Sequence, residues 1–123
     1  MAITVTTPDV GPGSQGGAFI INGVSADASG CEELKAAPAA GKSIYINRLT
    51  INNGANALSH TIGEGETVPG SVDTALIGPI AMAVNTSIQW DFYPPMKLTA
   101  ATSLVIDSSG AGPVCVFAEG YVE

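Results

Sequence analysis

The one histidine of the chain, His60, stands in Leu58-Ser-His-Thr-Ile62, with Glu64 and Glu66 just downstream. An imidazole beside hydroxyls and carboxylates holds the ingredients of general-base or metal chemistry. A metal site asks for a second histidine or a converging trio of carboxylates, and the sequence supplies neither. No Gly-x-Ser-x-Gly stretch marks a nucleophile for His60 to activate. The plain reading is an exposed or hydrogen-bonded side chain on a short strand. Gly63-Glu-Gly-Glu66 and Asp107-Ser-Ser-Gly110 put acids into loops, but neither has the alternating acids and glycine of a calcium loop. Gly11-Pro-Gly-Ser-Gln-Gly-Gly17 lacks the Lys-Ser/Thr and the following helix of a phosphate cradle, so it reads as a hinge. Trp90, Phe92 and Tyr93 could stack on a sugar. Trp90, however, alternates with Ile88 and Phe92, which is a core pattern, and leaves Tyr93 and Tyr45 as the surface aromatics. The chemistry-bearing residues therefore predict no catalytic, cofactor or metal site.

Composition narrows the classes further. Hydrophobic residues make up 46% of the chain and charged ones 12%, about half the roughly 25% of ordinary soluble domains. So little charge covers a free surface poorly. Part of the exterior is then either neutral Ser, Thr, Asn and Gly or buried against other copies. The net charge of −7 argues against a phosphate-backbone partner and against a polybasic membrane anchor. The start, Met1-Ala-Ile-Thr-Val5, has neither the basic nor the apolar region of a secretory signal, and no run approaches the ~20 apolar residues of a membrane helix. Cys31 and Cys115 match no Cys-x-x-Cys motif. They read as two reduced, buried thiols, with a Cys31–Cys115 bridge as the alternative.

The elements around these residues are extended. Thr86 to Tyr93 is the clearest strand, with Ile88, Trp90 and Phe92 on one face, and Pro94-Pro95 is expected to end it. It reads as the segment the other strands pack against, with Leu104, Ile106 and Val116 completing the core. Ala2 to Thr6 reads as an N-terminal arm or edge strand, followed by a Gly/Pro loop to Gly17. Ala18 to Val24 is a strand and Ser25 to Gly30 a turn. Ser29-Gly-Cys-Glu32 fits a capping box, so a helix of about two turns is expected from Ser29 to Pro38. In Lys42 to Asn53, Ile44 and Ile46 have one parity while Leu49 and Ile51 have the other. Either the strand is buried on both faces, or a bulge near Asn47-Arg48 puts all four on one face; the bulge is preferred because Tyr45, Asn47 and Arg48 suit a fully buried strand poorly. Leu58 to Ile62 is a short strand and Gly63 to Asp73 a long loop. Thr74 to Val84 carries Gly78-Pro79 and must be an edge, bent or broken strand. Ser103 to Asp107 and Val114 to Val122 are strands, with a turn at Ser108 to Pro113. About eight strands separated by Gly, Pro and Asn turns predict one all-β domain over residues 1–123, an antiparallel β-sandwich of jelly-roll type with one short helix.

Four stretches carry a family resemblance: Leu76-Ile-Gly-Pro-Ile80, Ile88-Gln-Trp-Asp-Phe92, Leu98-Thr-Ala-Ala-Thr-Ser-Leu-Val-Ile-Asp107 and Val114-Cys-Val-Phe-Ala-Glu-Gly-Tyr121. Over residues 42–122 the chain resembles small β-sandwich virion proteins of tailed bacteriophages, capsid decoration (cement) proteins in particular. The resemblance implies a non-enzymatic homotrimer, made in the host cytoplasm, on the outer face of the capsid, where its partner is the major capsid protein. It carries over no catalytic residue. It suggests a capsid-docking role for an N-terminal arm, here Ile3, Thr4 and Val5. The rival expectation is a receptor- or carbohydrate-binding tip domain of a phage head or tail fibre. A cupin-type enzyme would need more histidines.

Overall fold

The computed structural model describes residues 3–7 and 17–123. Seven strands make up the described part: β1 (Thr4–Thr6), β2 (Ala18–Lys35), β3 (Ile44–Asn53), β4 (Leu58–Glu64), β5 (Thr74–Met82), β6 (Ser87–Lys97) and β7 (Leu104–Val122). Every pairing is antiparallel, so the all-β antiparallel expectation holds. The organising element is the ribbon of β2 and β7, paired from Ala18↔Tyr121 to Lys35↔Leu104. Its register slips between Ser25 and Ala28 and again between Ala28 and Gly30, which divides it into two halves. Residues 18–25 and 114–122 take β1 on one side and β3, then β6, on the other. Residues 30–35 and 104–108 take β4, then β5.

Both halves feed one core. Phe19, Ile21, Ile44, Leu49 and Val116 come from the first, Leu34, Ile62, Met82, Leu104 and Ile106 from the second, and all belong to a single buried cluster. The halves touch directly, because a Cβ built on Gly23 would lie 3.0 Å from the Leu34 side chain. The bulge in β3 falls where the preferred reading of side-chain parity puts it: the register with both β6 and β7 shifts between Ile46 and Arg48. As a result Ile44, Ile46, Leu49 and Ile51 are all 0% exposed. Each such burial contributes about 1.5–3 kcal/mol, which outweighs one broken rung of the ladder. Gly120 faces Ile46 at this bulge, and a Cβ there would overlap the Tyr45 carbonyl.

Several expectations are overturned, among them the turn at Ser25 to Gly30, which is strand within β2. Residues 29–35 are strand, and the described residues contain no helix. Two turns of helix are marginal alone, whereas as strand the segment pairs with Leu104–Ser108 and buries Leu34. Residues 108–113 are not a turn but the bent middle of β7, with Gly112 opposite Ala28. The tryptophan strand is not central: among the described residues β6 pairs only with β3 and is an edge. It also runs past Pro94-Pro95 to Lys97, since β3 accommodates the prolines by pairing Arg48 with Asp91 and Ile46 with Met96. Ile88, Trp90 and Phe92 accordingly pack on the core from its margin and stay half-buried, while Leu104, Ile106 and Val116 are fully buried. β5, with its Gly78-Pro79, is the other edge, pairing among the described residues only with β4.

Candidate functional site

His60 points inward from β4 and is 0% exposed. Its Nδ1 lies 2.9 Å from Ser108 Oγ on β7, and its Nε2 lies 2.8 Å from Asn53 Oδ1 at the end of β3. The network fixes the tautomer. Asn53 Nδ2 donates to the carbonyls of Asn56, Met82 and Ala83 at 2.8, 3.3 and 2.9 Å, so Asn53 Oδ1 is an acceptor. Nε2 therefore carries the proton, and Nδ1 accepts from the Ser108 hydroxyl. Burial pushes His60 below its ordinary pKa of 6.5 and keeps the ring neutral.

A hydroxyl, an imidazole and an amide in line have the connectivity of a nucleophile, a base and an orienting group. The surroundings give them a different task. Ser108 is 3% and Asn53 4% exposed. The described groove nearby, about 250 Å³ and lined by Val24, Asn52, Gly54, Pro113 and Val114 among others, touches Asn53 but neither His60 nor Ser108. With Ser108 sealed from solvent, a substrate has no approach to its oxygen. What the arrangement does is tie β3, β4, β7 and the chain entering residues 83–86 at one point, with every side-chain polar atom partnered.

Two acids also face the interior. Glu64, 7% exposed, accepts from the Thr99 amide at 2.6 Å and the Thr99 hydroxyl at 2.7 Å, anchoring the loop between β6 and β7. Glu32 is half-buried, and its Oε2 is out of solvent with no hydrogen-bond partner among the described residues. Burial raises its pKa from 4.5, against the opposing effect of the hydrogen bond from the Ile3 amide.

The loop acids do not converge on a ligand. Asp73 accepts from the Thr67 amide and hydroxyl, which lowers its pKa, and Glu66 accepts from the Gly70 amide. These bonds hold residues 65–73 in a cap whose Val72 lies against Gly63, on the face of β4 turned away from the core. Among the described residues no three His, Cys, Asp or Glu side chains form a group that could hold a metal ion. Cys31 and Cys115 are both free and half-buried, one in each half of the ribbon. Burial, with Glu66 and other nearby acids, pushes the Cys31 thiol up to about 11, which disfavours the reactive thiolate. Cys115 Sγ donates to Asn22 Oδ1 at 3.3 Å.

The expected surface residues lie elsewhere. Tyr45 stacks on Tyr121 with ring centroids 4.8 Å apart, and Lys97 caps the Tyr45 ring at 5.7 Å. Tyr93 is 100% exposed. The proposed docking residues Ile3, Thr4 and Val5 sit on their own chain: Thr4 pairs with Val24 and Val5 with Gly23, while Ile3 and Val5 pack against the core. No helix is long and apolar enough to cross a membrane among the described residues. Compared with known proteins, the chain matches no family model, no curated protein and no solved structure.

The signal for the His60 cluster was present in the sequence as parity. His60 alternates with Leu58 and Ile62, Asn53 with Leu49 and Ile51, and Ser108 with Leu104 and Ile106. Each polar residue shares a face with core residues of its own strand. That they meet depends on strand order, which parity does not contain.

Proposed function

We propose that this chain is a non-enzymatic structural protein of a tailed-phage virion, a decoration or cement protein. Its copies form trimers that bind the outer surface of the major capsid shell and stabilise it. The observation that carries the reading is the strand order. With β2 and β7 each divided at the bend, the two halves run residues 18–25, 114–122, β3, β6 and residues 30–35, 104–108, β4, β5. This supports a jelly roll of eight strands, an architecture that serves capsid proteins, lectins and cupins. Fold alone does not choose among them. A cupin reading needs imidazoles converging on a metal, whereas both ring nitrogens of His60 are committed to Ser108 and Asn53. A low-charge exterior suits adhesion between proteins, and many weak contacts on a closed shell add by avidity.

The test is co-sedimentation with empty expanded shells of the major capsid protein from the same virus. Saturable binding and a higher disruption temperature of the shell are expected; no co-sedimentation at saturating protein overturns the reading. The fully exposed Tyr93 favours a second reading, a receptor- or carbohydrate-binding tip domain of a head or tail fibre. That reading predicts glycan-array binding that Tyr93→Ala abolishes, and an array without signal removes it.

A further inference from the structure

We propose that the side of the fold bounded by β5 and β6 is the surface on which a second copy of this chain docks. The inference rests on the assembly reading for the need of a partner and adds where that partner sits. β5 ends one half of the bent sheet and β6 ends the other. They are consecutive, and their junction is tied to the β3–β4 corner by Asn85 N–H to the Gly54 carbonyl and Asn53 N–H to the Thr86 carbonyl. Both edges therefore border the same side of the core, yet they are not hydrogen-bonded to one another. The opposite side is crossed by the unbroken chain of β2. The β5–β6 side is closed by side chains only: Leu76, Ile77 and Ile80 from β5, and Ile88, Trp90 and Phe92 from β6. All six pack on the core, and all six remain partly open to solvent.

Charge selects the occupant. Residues 74–90 contain no Asp, Glu, Lys, Arg or His, in a chain of net charge −7. Two identical acidic copies repel where unpaired acids face each other and meet most readily where charge is absent or already paired; Asp91, the first charged residue beyond this stretch, is held by Arg48 at 2.7 Å. A cationic partner, by contrast, would find no counter-charge on residues 74–90. Pro79, Pro94 and Pro95 offer no N–H along these edges, which disfavours an extended intermolecular ladder and leaves side-chain packing as the contact.

Trp90, the chain's one tryptophan, reports on this surface directly. The full chain is followed from nanomolar to near-millimolar concentration by sedimentation, with acrylamide quenching of Trp90 measured on the same samples. The proposal expects quenching to fall several-fold in step with the rise in mass. Leu76→Glu places a charge on the surface and is expected to weaken association at least ~10-fold. Val68→Glu, the same charge change on the exposed cap, leaves association unchanged. Circular dichroism and the melting midpoint establish that each variant is folded. If Leu76→Glu does not fold, the wild-type quenching curve decides the matter alone. Association with unchanged Trp90 quenching overturns this surface and leaves the assembly reading standing. A monomer at every concentration overturns the proposal, and shell co-sedimentation then judges the cement reading separately. Protection of Trp90 only when empty shells are added overturns the second copy and assigns the surface to the shell protein.

Discussion

His60 and Glu32 are both ionisable residues turned toward the interior, one in the middle of the sheet and one beside the N-terminal strand. His60 has both ring nitrogens partnered, and its partner Asn53 is itself fully engaged. Glu32 has one carboxylate oxygen buried without a partner and relies on the Ile3 amide for the other contact. A fully satisfied polar cluster specifies one arrangement of the strands around it, whereas a half-satisfied one costs desolvation and specifies little. The contrast locates rigidity where β3, β4 and β7 meet, and a looser joint where β1 lies on β2.

Removing Asn53 should cost the most. Asn53→Ala removes the amide whose two N–H groups are shared among one buried and two part-buried carbonyls, and deprives the buried His60 Nε2 of its acceptor. Leaving such groups unsatisfied predicts a loss of about 3 kcal/mol or more, read from urea unfolding. A loss under ~1 kcal/mol would mean the cluster is no more constraining than Glu32. Thr99→Ala tests the intermediate case, because Glu64 keeps the residue-99 amide but loses the 2.7 Å hydroxyl. About 1–2 kcal/mol is expected.

The pH dependence separates the two sites by sign. Burial holds His60 below 6.5, so the unfolded chain takes up its proton first as pH falls. Stability from this residue is present above about pH 6.5 and is lost below it, down to the lowered folded-state value. The urea midpoint should therefore drop between pH 7 and 5, and His60→Gln should flatten that part of the curve. An unchanged slope in the variant would show that His60 does not titrate as a buried neutral ring.

Much of this architecture was legible beforehand, and the misses have a common cause. The conflicting parity of Ile44/Ile46 and Leu49/Ile51 left a bulge or a strand buried on both faces, and Pro79, lacking a donor, left β5 as an edge, bent or broken strand. Both are local arguments about one strand. The short helix at Ser29 failed because capping and helix propensity compete with a partner strand 70 residues away that the sequence does not announce. The centrality of Trp90 failed for the mirrored reason: its alternation is real, but alternation describes a face and is silent on whether the strand has one neighbour or two. The polar cluster was visible as three separate parity matches on three strands, and only the β2–β7 ribbon brings them together.

The smallest expected effect is the sharpest test of the comparison. Burial raises the pKa of Glu32 above 4.5, so the folded chain takes up this proton before the unfolded one as pH falls. Acidification through that raised value adds stability at Glu32, opposite in sign to its effect at His60. Glu32→Gln replaces the charge with a neutral amide that can still accept from the Ile3 N–H. At pH 7 it should stabilise the chain slightly, within about 0.5 kcal/mol, and remove the gain seen on acidification. A clear loss of stability in Glu32→Gln at pH 7 would mean that the carboxylate holds β1 in place as firmly as Asn53 holds His60, and the distinction between a tight centre and a loose N-terminal joint would fail.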